Sequence, residues 1–273
     1  MKDPALELLS ATYGIYTSYP WYGGWKYDRQ DAGDPFIQSL VSDLEHSPQT
    51  LHLLREMNAS IYVCKHLGRT HVKGRVWYGN AASSPAICDP FRREILIGRE
   101  YYPEGRIPVQ TKAPGFVVAH ELAHVLDTAL GKYTDPYGED PPEPTTYVDF
   151  YAKSALNLDM MTNPDMQSQF KVRSGLLGGE DGHRSSATEI ICDLIAHAWS
   201  GHEPATYRNL ATRYPALEDV AKTMRLAATS PAHITLYRKM ANRFENLPRI
   251  SDALKTLESA PPTSFDGPVS SRP

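Results

Sequence analysis

The segment His120-Glu121-Leu122-Ala123-His124 sets two imidazoles four positions apart, with a carboxylate beside the first. On a helix the two rings share one face, about 6 Å apart along the axis, and can hold one metal ion between them. Zinc takes neutral His nitrogens at about 2.0 to 2.1 Å in a tetrahedral shell, and a catalytic site keeps one position for water. Glu121, on the same turn as the first ligand, is placed to act as general base. It would take a proton from that zinc-bound water and pass it to the leaving amine while the metal polarises the scissile carbonyl. Val117, Val118, Leu122, Val125 and Leu126 make the rest of this helix apolar and predict that it is buried. Inward-facing imidazoles and a carboxylate on such a helix are costly unless they coordinate a metal or bond one another as a core pair.

Two imidazoles do not complete a zinc site. The extended HExxHxxGxxH pattern is excluded, because Asp127 stands where its Gly would be and Leu130 where its third His would be. The best candidate for the third ligand is Glu189 in ATEIICDLIAHAW, with Asp193 one turn later on the same helix face. A carboxylate at that second position can accept the free ring N–H of a ligand His and fix its tautomer.

An HExxH helix followed by a separate ExxxD helix resembles the gluzincin group of zinc peptidases, which includes the thermolysin-like and lethal-factor-like enzymes. Thr188-Glu189-Ile190-Ile191-Cys192-Asp193 is similar to the group's second motif, and VVAHELAHVLD, with Asp127 three residues after His124, resembles the lethal-factor-like branch. The likeness covers residues 114–130 and 187–200. It implies a zinc-dependent endopeptidase holding one zinc per chain through His120, His124 and Glu189, with Asp193 supporting a ligand imidazole. It implies an α+β, zincin-like fold, in which a small mixed sheet in the N-terminal half packs on a largely helical C-terminal half carrying the HExxH helix. It also implies that a protein or peptide substrate binds as an added strand along the edge of the sheet, which would assign that edge to REILIG at 93–98.

The chain departs from the branch where a Tyr would stabilise the oxyanion, since that position is Gly182. His183 is the candidate donor in its place, with Tyr147 and Tyr151 as alternatives. Asp135 in TDPYG, which faintly resembles an aspzincin motif, is the rival third ligand. Asp127 is expected to brace the helix, and His197 and His202 to be polar or capping residues. The alternative of another class is a zincin-fold module that binds zinc or a partner without hydrolysis.

Positioning these groups takes two long helices and a sheet. Pro114 to Leu130 reads as one helix, with Pro near its start and Gly131 past its end, and 187–200 as a second. Further helices are expected at 204–214, 216–228 and 231–246, and two short ones from Pro35 to about Met57, broken near Ser47-Pro48. SIYVC at 60–64, RVWYG at 75–79 and REILIG read as strands of one small sheet. Residues 1–34, rich in Tyr, Trp and Gly, read as irregular, and the stretches at 134–146 and 174–186 as loops. Residues 1–259 form one expected domain, and 260–273 a disordered Pro/Ser-rich tail.

Hydrophobic residues at 41% and charged residues at 22% suit a folded soluble protein. A formal charge of −4 with scattered Lys and Arg leaves no basic stripe for nucleic acid. No apolar run is long enough to span a membrane, and no conventional export signal opens the chain. The widely spaced Cys64, Cys88 and Cys192 suggest no disulfide framework. The expected setting is therefore cytoplasmic, or that of a bacterial effector or toxin protease secreted without such a signal.

Overall fold

The structure, a computed structural model, describes residues 4–17, 32–67, 71–72, 75–76, 83–90, 93–102, 107–130, 159 and 187–229. In chain order the N-terminal elements are α1 (Pro4–Tyr13), β1 (Ile15–Tyr16), α2 (Pro35–Glu45), α3 (Pro48–Glu56), β2 (Ser60–Cys64), β3 (His71–Val72) and β4 (Arg75–Val76). Then come β5 (Ala86–Asp89), β6 (Glu94–Gly98), β7 (Glu100–Tyr101), β8 (Val109–Gln110), α4 (Pro114–Leu130), α5 (Ala187–Ser200), α6 (Pro204–Arg213) and α7 (Pro215–Ala228). The architecture is mixed α+β, a small mixed sheet with helices predominating.

The N-terminal segment is not irregular throughout, as its aromatic and Gly content suggested. Leu6, Leu9 and Tyr13 line one face of α1 and pack on the core, a stripe too short to stand out in the sequence. Gly14, at φ +67°, ends that helix and turns the chain into β1. A Cβ there would lie 2.7 Å from the Ala59 carbonyl oxygen, so close approach to the next strand also requires glycine.

The main sheet has the order β1-β2-β6-β5, with β1, β2 and β6 parallel and β5 antiparallel. Alternation divides its side chains between two faces. Ile61, Val63, Ile95, Ile97 and Ala86 enter the main core under the helices, while Tyr62 and Leu96 pack on the other face with Leu67, Tyr16, Cys64 and Ile87. The expectation that REILIG forms the edge is overturned, because β6 is hydrogen-bonded on both sides, to β2 and to β5. The strand begins at Glu94, and Arg93 before it is a turn residue at φ +57°. Among the described residues, β5 is the edge on that side. From the sequence, AICD is too short and too little β-branched to register as a strand. Of RVWYG only Arg75–Val76 is described, and it pairs with β3 in a separate ribbon rather than joining the main sheet.

Three carboxylates cap the starts of helices. Asp34 caps α2, accepting the Phe36 N–H at 2.8 Å, and pairs through its other oxygen with Arg99 Nη1 at 2.9 Å. Asp43 on α2 accepts the Gly115 N–H at 2.9 Å and so satisfies one of the free amides at the start of α4. Further along, Asp159 accepts the amides of Ala216 and Leu217 at 2.8 and 3.1 Å, capping α7 from 57 residues upstream of the first of them. The breaks at Ser47-Pro48 and Tyr214-Pro215 fall where expected. The expected helix at 231–246 and the tail at 260–273 lie outside the described residues. No helix among the described residues is long and apolar enough to cross a membrane.

Gly115 permits the junction of α2 and α4, since a Cβ there would fall inside the Asp43 side chain. Gly115→Ala is therefore expected to destabilise the fold by about 1 to 3 kcal/mol through overpacking, despite alanine's better helix propensity. Thermal or urea unfolding measures this, and a stabilised variant would contradict the junction described.

Candidate metal centre

Helix α4 is central: Val118, Ala119, Leu122, Ala123 and Leu126 are fully buried, and it packs on α2, β5, β6 and α5. Its remaining face carries Phe116, His120 and His124 at intervals of four. Helix α5 buries Ile191, Leu194 and Ile195 and offers Glu189, Asp193 and His197 at the same interval. The pairs run in opposite order. His124 meets Glu189, His120 meets both Glu189 and Asp193, and the Phe116 ring packs on the His197 ring at 4.5 Å. The helices are thus antiparallel, with three polar or aromatic layers between otherwise apolar surfaces.

The two layers that carry His120 and His124 converge on Glu189. His120 Nε2 lies 3.2 Å from His124 Nε2 and 3.0 Å from Glu189 Oε2, and His124 Nε2 lies 3.4 Å from Glu189 Oε1. One nitrogen from each ring and one Glu189 oxygen lie within 4.8 Å of one another, close enough to share a metal ion. Among the described residues, His120, His124 and Glu189 are the group able to hold a metal ion. Their side chains keep 16%, 21% and 18% of their surface exposed, enough for a fourth position to open to water.

The remaining ring nitrogen of His120, Nδ1, lies 2.8 Å from Asp193 Oδ1, the arrangement expected of a carboxylate that supports a ligand imidazole. With its Nδ1–H donating to Asp193, His120 presents a lone pair at Nε2. Without a cation the ring would hold both protons. Burial opposes the charge, but the hydrogen bonds to Asp193 and Glu189, with the nearby Glu121 carboxylate, push its pKa up to about 10. Burial likewise opposes ionisation of Glu189, yet its bonds to the two imidazoles hold its carboxyl well below the usual range. A metal ion would take the place of the Nε2 proton.

Around this centre stand groups of differing role. The Glu121 carboxylate bears electrostatically on the thiol of Cys88 on β5. Burial first, and then the Glu121 charge, push that thiol well above its ordinary value, so it stays protonated. Asp127 is buried inside α4, where its charge bears on Cys192 of α5; it is no part of the ligand cluster. His197 Nδ1 donates to the His202 carbonyl at 2.6 Å beyond the end of α5, the capping role expected of it. Asp135, Tyr147, Tyr151 and His183 lie outside the described residues. Phe116 was legible as the position four before His120, whereas no local signal in the sequence points to Cys88.

Comparison of the chain with protein-family models, curated proteins and solved structures finds no match. The geometry of the cluster therefore carries the functional reading.

Replacing Glu189 by Ala removes a ligand and is expected to weaken zinc binding by more than about 100-fold, while Asp193→Ala, which leaves the ligands in place, costs about 10 to 100-fold. Titration against a coloured chelator ranks the two. Unchanged affinity in Glu189→Ala would remove it from the ligand set.

Proposed function

We propose that this chain is a zinc-dependent endopeptidase with a zincin-like fold of gluzincin type. The observation that carries this reading is the convergence of His120, His124 and Glu189, whose ligand atoms lie within 4.8 Å of one another, with Asp193 bonded to the outer nitrogen of His120. Zinc held there would polarise a peptide carbonyl and acidify a water molecule.

The chain's own groups do the rest. Glu121, next in sequence to the first ligand, takes the water's proton and delivers it to the departing nitrogen, so a single carboxylate serves as base and then as acid. Asp193 keeps the His120 proton on Nδ1 and thereby holds the Nε2 lone pair towards the metal. The substrate's main chain pairs with β5, which packs directly on α4, rather than with REILIG. A strand added there runs beside the helix that carries the base, bringing a scissile carbonyl to the open face of the cluster.

A module that merely stores zinc has no use for a base beside the metal, so Glu121 separates the two readings. Glu121→Gln is expected to keep zinc yet lose cleavage by orders of magnitude, since the ligands remain and the base is gone. Metal analysis and a generic peptide digest, with and without chelator, measure both properties. Full activity in Glu121→Gln would refute its role as base, and zinc without cleavage in the wild type would refute the peptidase.

A further inference from the structure

We infer that Phe116, His197 and His202 form a recognition subsite beside the metal centre for a substrate side chain that is aromatic and carries a polar tip, that of tyrosine. The inference rests on the peptidase reading and adds to it the class of substrate.

The same crossing of helices builds this subsite. Phe116 lies on α4 one turn before His120, about 6 Å along the axis, and His197 lies on α5 one turn after Asp193, the partner of His120. The layer next to the ligands is therefore made of rings. Phe116 packs on His197 at 4.5 Å and on His202 at 5.3 Å, and the two imidazoles stack at 6.1 Å with 21° between their planes. Phe116 and His202 are only half-buried, so the ring cluster reaches the surface, as the ligands do. A Cβ built on Gly201, between the two imidazoles in sequence, would meet nothing within 4 Å among the described residues.

Packing accounts for His197 but not for the ring of His202. His197 is buried, and its bond to the His202 carbonyl closes the end of α5. The backbone N–H of His202 in turn donates to Ser200 Oγ at 3.2 Å, so the main chain of His202 is fully employed in the cap. Its ring nitrogen Nδ1 is buried and has no hydrogen-bond partner among the described residues. A nitrogen left in that state costs free energy that a phenyl ring in its place would not incur. A ligand atom that reaches it removes the cost.

The surroundings select the ligand. A phenolic hydroxyl can donate or accept, so it suits either tautomer of His202, while its ring packs among Phe116 and the imidazoles. A carboxylate is disfavoured by the negative end of the α5 dipole, and a Lys or Arg head would have to leave water to reach a buried nitrogen. Spacing sets the position in the substrate. Same-face side chains of an extended peptide recur about every 6.6 to 6.8 Å, close to one helical turn. A peptide running beside α4 with its scissile carbonyl at the metal centre thus brings a side chain two residues from that bond to the Phe116 layer.

The test uses the zinc-loaded full chain carrying Glu121→Gln and acetylated alanine pentapeptide amides with Tyr, Phe, Arg or Ala at the centre, titrated by NMR. The Tyr peptide is expected to bind about tenfold tighter than the Phe peptide, to shift the His202 ring resonances, and to exceed the Ala peptide by more than about tenfold again. Adding His202→Phe, which keeps the ring packing and loses the nitrogen, should erase the difference between Tyr and Phe with zinc retained. Adding Phe116→Ala should erase the preference of either aromatic over Ala. Equal binding of the Tyr and Ala peptides, tighter binding of the Arg peptide, or a Tyr preference that survives His202→Phe would each overturn the proposal. In the active wild type, cleavage of a longer peptide should fall two residues from its single Tyr, and a cut at any other distance would also overturn it. If the zinc-loaded wild type cleaves no peptide while the Tyr peptide still binds and shifts the His202 ring, the peptidase reading fails and the subsite stands.

Discussion

Two apolar helices crossing antiparallel through the protein bring imidazoles on one against carboxylates on the other, and this juxtaposition organises the rest of the structure. Helix α4 buries Val118, Leu122 and Leu126 completely, as α5 does Ile191, Leu194 and Ile195, so the polar faces between them have little water to turn to. His120, His124, Glu189 and Asp193 satisfy one another only because the rings and carboxylates alternate along the crossing. Shifting either helix by one turn would set His120 against a different partner. The register must therefore be held from outside the interface, by the Asp43 cap on Gly115 at the start of α4 and by the sheet that supports its length.

Such a cluster is stable without a metal only in a particular protonation state. His120 then carries a charge shared between two carboxylates, and Glu189 is held ionised by the two rings. A divalent cation at the same point supplies the positive charge that the Nε2 proton otherwise provides. The same electrostatics that hold the helices together thus prepare a metal site, and the partial exposure of the three ligands leaves one side of it open.

How much of this could be read from the sequence depended on the range of the interactions. His120, Glu121 and His124 were legible because four-residue spacing on a helix determines which side chains meet, and Glu189 and Asp193 because the same rule applies to a second apolar helix. Both helices, the break at Ser47-Pro48 and the strand at 60–64 carry local signals of the same sort. What failed was non-local. REILIG looked like an available edge because its own residues cannot reveal that AICD pairs outside it, and β1 gains a place in the sheet from two residues alone. Asp159 capping α7 from far upstream leaves no trace near that helix, and the packing of β5 on α4 exists only once strand and helix are folded together. In α1 the stripe of Leu6, Leu9 and Tyr13 was present but lost among aromatic residues.

The central claim is that His120, His124 and Glu189 form one zinc site. X-ray absorption at the zinc edge of the loaded protein tests this most directly. The expected spectrum shows two imidazoles and light oxygen neighbours at about 2.0 to 2.2 Å, with no sulfur. A sulfur shell at about 2.3 Å, a single imidazole, or zinc that dialysis removes entirely would contradict the site described.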